Sequence, residues 1–358
     1  MMKIKADKGV TLIELMISMA LLAIVIAAVI TSYSTILKLQ VQQSEMAKTN
    51  VEECISVEIL RKDIEMAGFG LPWDMNGQKY SEAVNSTSYI PDPATFNDAP
   101  SNPPRAFVIS DNGNINANSS DVLVIKSSVA SLNDVTQRWG YVTNDGTNIT
   151  YHPLSPQSSK EGYFVVLNRE RRLEKMDYQP SSPAKPTFID NLDTGDIYFA
   201  FGISDENPLF PFNRVDYYLR RPAIGFPEKC CPTTYELYRS TINQSNGKRN
   251  PQPILDCVKD FQVSFGLDEN EDGFVDKWTS TLPPSASEIR DKVKQVRVFI
   301  LYQEGSKEKN YNYSGTITLG DSDTGSLKTF TPSGEEKNYR WKVIRLVVNP
   351  LNLKPLQR

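Results

Sequence analysis

Histidine is nearly missing: His152 is the only one in 358 residues. No multi-histidine zinc centre can be built, and a Ser-His-Asp triad would have His152 as its only choice of base. That residue stands beside Pro153 and a hairpin signal, and it reads as structural. An excess of basic residues is missing as well. With 39 Lys+Arg against 43 Asp+Glu, and a formal net charge of −4, the chain offers no footprint for a nucleic acid. The cluster Arg169-Glu170-Arg171-Arg172 has mixed charge and reads as a solvated strand end. There is no G-x-x-x-x-G-K-[ST] phosphate loop, G-x-S-x-G elbow, H-E-x-x-H helix or C-x-x-C-H haem signal. The reading is a non-enzyme. The apolar share of 39% is low for a globular chain, yet 10% aromatic residues supply a core, so wholesale disorder is excluded.

Two local absences are more informative. From Leu15 to Leu37 no position of 23 is charged, which is long enough to span a bilayer at about 20 apolar residues. Lys3, Lys5 and Lys8 precede it against Asp7 alone, favouring a cytoplasmic N-terminus. A cleaved secretory signal peptide would have a shorter apolar stretch and a small-residue exit; none occurs before Lys38. The second absence is of Pro and Gly from Val10 to Ala67, 58 positions. Fully helical, these would extend ~87 Å. Beyond the membrane, Val51, Ile55, Ile59 and Ile64 are spaced for one apolar face, with Lys48, Glu52, Glu53, Arg61 and Lys62 on polar ones. Gly68, Gly70 and Pro72 supply the stop.

One residue fits a plain anchor poorly. Glu14 places a carboxylate at the edge of the hydrocarbon, where a charge costs roughly 2.5–3.5 kcal/mol at a helix centre and less toward the interface. A snorkelling end residue is one reading; a charge awaiting a partner is the other.

Lys8-Gly9-Val10-Thr11-Leu12-Ile13-Glu14-Leu15 resembles the class III signal of type IV prepilins and pseudopilins. The resemblance implies that a membrane peptidase cuts after Gly9, that Val10 becomes the methylated first residue (the family usually has Phe there), and that Glu14 pairs with the terminal amine of a neighbouring subunit. It also implies residence in the inner membrane, single-pass with the N-terminus cytoplasmic, before assembly into a surface pilus. Removing the leader takes away Lys3, Lys5, Lys8 and Asp7, moving the formal charge from −4 to −6.

After Gly68 the grammar changes to short β-branched and aromatic runs. Val122–Ile125, Gly162–Leu167, Asp196–Phe201, Val215–Leu219, Gln295–Tyr302 and Trp341–Val348 read as strands, and Asn144-Asp145-Gly146 as a hairpin turn. Asn76 to Asp121 is Asn/Ser/Pro-rich and reads as a loop-rich insertion. Leu60–Pro72, Tyr218-Leu219, Tyr238-Arg239, Val258–Asp268 and Tyr339–Asn349 resemble corresponding segments of PilW-family minor pilins. The expected fold is α+β and pilin-like: leader 1–9, helix 10–67 with its transmembrane half at about 15–37, and a large, mostly antiparallel β head over 68–358.

In the oxidising compartment this topology implies, Cys54, Cys230, Cys231 and Cys257 allow three pairings of two bridges. A bridge between the adjacent pair is strained. Cys257 with Cys230 or Cys231 is preferred, closing a loop of about 26 residues worth roughly 3 kcal/mol, and Cys54 with the other would tie helix to head.

Asp268-Glu-Asn270-Glu-Asp272-Gly273-Phe274-Val-Asp276 places oxygens at positions 1, 3, 5, 7 (the Phe274 carbonyl) and 9 of a calcium loop, with glycine at 6. Thr279 replaces the usual glutamate at 12, and an acidic Asp-Gly turn is the competing reading. Calcium is the only cofactor indicated.

The resemblance implies a minor pilin that primes assembly or sits at the pilus tip. Its implied partners are other major and minor pilins, the prepilin peptidase and the inner-membrane assembly platform, with no nucleic acid. The alternatives are a minor pseudopilin of a type II secretion system and an inner-membrane-anchored periplasmic protein.

Overall fold

The computed structural model describes residues 10–86, 91–114, 116–130, 135, 137–146, 149–155, 162–178, 193–203, 210–308 and 310–353. Gly9, one side of the expected cleavage point, lies outside them.

Helix α1 (Leu12–Glu65) runs unbroken for 54 residues, about 81 Å at 1.5 Å per residue. Nothing in its sequence interrupts the backbone ladder, and it stops where glycine begins. Gly68 and Gly70 have φ of +79° and +67°, a region that costs other residues strain. A Cβ on Gly70 would also sit 2.4 Å from Ser128 Oγ, so the chain can turn under the head only without a side chain there. The C-terminal segment closes the helix end: Leu351 N–H and Asn352 Nδ2 both donate to Glu65 O, at 2.9 and 3.2 Å.

The strands, in chain order, are β1 (Phe107–Asn114), β2 (Ser120–Ser127), β3 (Trp139–Asn144), β4 (Ile149–Pro153), β5 (Tyr163–Leu167), β6 (Leu173–Tyr178), β7 (Ile197–Ile203), β8 (Asn213–Arg220), β9 (Tyr235–Ile242), β10 (Arg249–Leu267), β11 (Lys277–Thr279), β12 (Val293–Glu304), β13 (Ile317–Asp321), β14 (Gly325–Phe330) and β15 (Arg340–Val348); a short helix, α2 (Ala286–Lys292), precedes β12. An eight-stranded sheet has the order β1-β2-β8-β9-β10-β12-β15, with β11 on β10; a five-stranded sheet has β4-β3-β7-β5-β6; β13 and β14 form a hairpin. All these pairings are antiparallel.

Alternation assigns the faces. Val296, Val298, Ile300 and Tyr302 of β12 join Leu60 and Ile64 of α1 in the largest core. Phe299 and Leu301, one residue out of phase, face the other way and pack with Trp341, Tyr339 and Leu319 beneath the β13–β14 hairpin. In the smaller sheet Val165 and Leu167 face one cluster, Phe164 and Val166 the other.

Four expectations need correction. Residues 76–121 are not merely loop: they contain β1, and their irregular part covers a sheet face. The reason is ionic. Lys126 Nζ, fully buried on β2, donates to Glu82 Oε1 and Oε2 (2.9 and 2.8 Å), Asp98 Oδ2 (2.6 Å) and Phe96 O (3.1 Å). Arg214 and Arg249, buried and paired with Asp216, donate to the carbonyls of Pro93 and Pro91. The buried stripe of α1 is also not Val51-Ile55-Ile59-Ile64. Its buried residues are Thr49, Ser56, Leu60, Asp63 and Ile64, while Val51 and Ile55 face outward. Three of those five are polar, because the head holds the helix by hydrogen bonds as well as by packing. Third, Cys230 bonds Cys257, but Cys54 is free and exposed and Cys231 free and buried. Cys231 packs with Phe299 and Leu301, on the sheet face opposite the helix, so it and Cys54 are separated by the sheet.

His152 is structural in its contacts: it stacks on Tyr141, with centroids 4.5 Å apart, and its Nε2 lies 3.0 Å from Thr143 Oγ1. Arg171 is not a solvated strand end; its Nη1 donates to Gly68 O at 3.3 Å and its guanidinium lies 5.7 Å from the Trp73 ring.

Candidate assembly site

The candidate surface is the long helix, which divides into a free half and a held half. Every residue from Val10 to Val41 is exposed, and this stretch is long and apolar enough to cross a membrane. Val10, 72% exposed, precedes the extended N-cap Thr11. Thr11 and Glu14 form a capping box: Thr11 N–H and Oγ1–H each donate to Glu14 Oε2 at 2.9 Å, and Glu14 N–H donates to Thr11 Oγ1 at 3.3 Å. Two orphan donors of the first turn are thereby satisfied. The box is written in the sequence as Thr-x-x-Glu, although Glu14 draws notice there as a misplaced charge. Both hydrogen bonds use Oε2, and no cation among the described residues neutralises the carboxylate.

The held half is anchored by Asp63. Arg239 Nε donates to Asp63 Oδ2 at 2.7 Å and Arg239 Nη2 to Oδ1 at 3.1 Å, and Tyr217 Oη–H donates to Oδ2. All three side chains are buried. Burial pushes the Tyr217 phenol well above its usual range and the adjacent Asp63 charge adds to it, so Tyr217 stays a donor. Higher on the helix, Tyr302 Oη–H donates to Glu53 Oε2 and Ser56 Oγ–H to Ile254 O. The ion pair joins two segments singled out from sequence for their resemblance, Leu60–Pro72 and Tyr238-Arg239. Its partnership was not legible, since 176 residues separate the two ends.

The sequence profile described as Type IV Pilus-assembly protein W matches residues 216–352, and the Prokaryotic N-terminal methylation motif matches residues 4–30. The chain is a type IV pilin-like protein with a PilW domain. The matched PilW region runs from β8 through β15 and so contains Arg239 and the strands that receive the helix. The motif at 4–30 and the apolar helix make this pilin inner-membrane-anchored and later assembled into a pilus. No curated protein matches the chain. A type IV-like pilin from Thermus thermophilus matches at 11% identity and a TM-score of 0.26, over 61% of this chain and 85% of that one; at that score the likeness carries no weight, and the fold stands on the strand pairings above.

The other sequence candidates lie apart from the helix. Asp268, Asn270, Asp272, Phe274 and Asp276 form the turn between β10 and β11. The structure brings them together through the turn's own amides: Gly273 N–H donates to Asp268 Oδ2 (2.8 Å), Phe274 N–H to Asp272 Oδ1 (2.8 Å), and Glu269 and Asn270 N–H to Asp276 Oδ2 (2.8 and 3.2 Å). No three His, Cys, Asp or Glu side chains among the described residues are gathered as a metal cluster.

Proposed function

We propose that this pilin is a minor, non-catalytic subunit of a type IV pilus that primes assembly or stands at the tip. A prepilin peptidase cuts it between Gly9 and Val10, Val10 is methylated, and the subunit enters the filament through the inner-membrane assembly platform in contact with major and minor pilins.

The observation that carries this reading is Glu14, an acidic side chain in the first turn of the exposed, apolar half of α1, with Thr11 as its hydrogen-bond partner. In hydrocarbon such a charge is unfavourable, and so is a bare amine. When a neighbouring subunit brings its processed terminus alongside, each charge offsets the desolvation of the other, and only the correct stagger does so.

Glutamine at the third helical position also completes a capping box, so Glu14→Gln removes the charge while keeping the cap, and Glu14→Leu removes both. Both variants should insert in the membrane like the parent. In sheared filaments, quantitative immunoblotting should find both reduced several-fold. Full incorporation of Glu14→Gln would show that the charge has no part in assembly.

A further inference from the structure

The turn between β10 and β11 holds a feature its hydrogen bonds leave unexplained. Asp268 is only 1% exposed, and its Oδ1 is buried with no hydrogen-bond partner. Its other oxygen accepts from Gly273 N–H at 2.8 Å, which fixes the carboxyl group against the turn; Lys294 Nζ stands 3.7 Å from that same Oδ2. An unmade hydrogen bond on a buried charged oxygen is costly, and an ion is one of the few groups that relieve it. The surroundings are made of hard oxygens. Asn270, Asp272 and Asp276 are exposed side chains of the same turn, and the hydrogen bonds to Asp272 use only its Oδ1. Gly273, at φ +92°, turns the chain where the sixth position of a calcium loop must.

We propose that this turn binds one calcium ion, with Asp268 Oδ1 as its buried ligand, Asn270, Asp272 and Asp276 as its outer side-chain ligands and the Phe274 carbonyl as the fifth group. The three carboxylates are not gathered in the present arrangement, so binding draws Asp272 and Asp276 inward from their backbone amides. Lys294 reduces the charge available to the ion, and no glutamate occupies the twelfth position. Both place the site in the weak class. Oxygen ligands and a flexible ring of five to seven groups favour calcium over the smaller, stricter magnesium. The proposal is independent of the assembly role of the helix.

The test is calorimetric titration of CaCl2 into the full-length chain in detergent micelles. One site per chain with a dissociation constant on the order of 10⁻⁴–10⁻³ M is expected, the range of extracellular calcium modules. Asp272→Asn and Asp276→Asn, both at exposed positions that leave folding intact, should each weaken it by roughly tenfold or more through loss of ligand charge. Asp323→Asn, in the separate β13–β14 turn, should leave it unchanged. Any of three results would overturn the site: no saturable binding up to about 10 mM calcium, binding unaltered in both turn variants, or magnesium binding as tightly as calcium.

Discussion

Asp121, at the start of β2, is a carboxylate with no exposure at all. Burial, with Asp111 and Asp260 adding to it, pushes its pKa up to about 7, even though Asn112 and Val263 N–H donate to its two oxygens at 2.8 and 2.7 Å. The unfolded chain releases this proton near pH 4, and the folded chain holds it to about 7. Between those values the folded state binds more protons, so this group's contribution to stability falls as pH rises and is spent above about pH 7. A shift of about three units corresponds to about 4 kcal/mol. Denaturant unfolding of Asp121→Asn at several pH values should therefore lack the fall in stability that this group gives the parent between about pH 4 and 7; parallel profiles would mean that Asp121 titrates normally. None of this is legible in Ser120-Asp121-Val122, because it depends on β10 lying close by. Glu14 differs: its partner is three residues away, and the pattern that caps the helix can be read directly.

At the scale of elements, the hold of the head on α1 depends on a buried ion pair. Breaking one partner of such a pair leaves the other charge stranded, at roughly 3–5 kcal/mol, whereas replacing both with apolar groups of similar volume is often near neutral. Asp63→Ala should accordingly lower unfolding stability by about that much, and Asp63→Leu with Arg239→Met should recover most of it. If the double variant is as unstable as the single one, the loss came from the helix itself. The disulfide sets a second expectation. Cys230→Ser should cost roughly 3 kcal/mol for the loop it closes, while Cys54→Ser, at an exposed free thiol, should leave the unfolding midpoint unchanged. The elements themselves were largely readable: an uninterrupted 58-residue run could only be one long helix, and alternating β-branched runs marked β2, β5, β7, β8, β12 and β15. What escaped was the underside of the helix, where Thr49, Ser56 and Asp63 are buried in place of the evenly spaced Val51 and Ile55. Polar contacts over long sequence distances leave no periodic trace.

The molecule as a whole has two unlike ends: an apolar rod exposed from Val10 to Val41, and a head whose largest sheet receives the rest of the helix. That division follows from composition, as 23 uncharged positions cannot stay in water and the strand-rich remainder cannot enter lipid. Less visible in advance was how the Asn/Ser/Pro-rich stretch before β1 becomes part of the head. Lys126, Glu82 and Asp98, all buried and mutually bonded, bind it down where few apolar residues could. Lys126→Met would take away the one cation that Glu82 and Asp98 share, leaving Glu82 with Arg214 at 3.4 Å and Asp98 with Arg105 at 2.6 Å, and a loss of several kcal/mol is expected, read as a lowered midpoint in denaturant. An unchanged midpoint would show that the two arginines suffice and that Lys126 has no part in holding the strap. In the proposed function, the rod joins the filament only after its leader is removed. N-terminal peptide mass spectrometry of the chain recovered from sheared surface filaments reports that step directly. A first residue of N-methylated Val10 is the predicted result; a chain that still begins at Met1, or one that starts well beyond Val10, would contradict it.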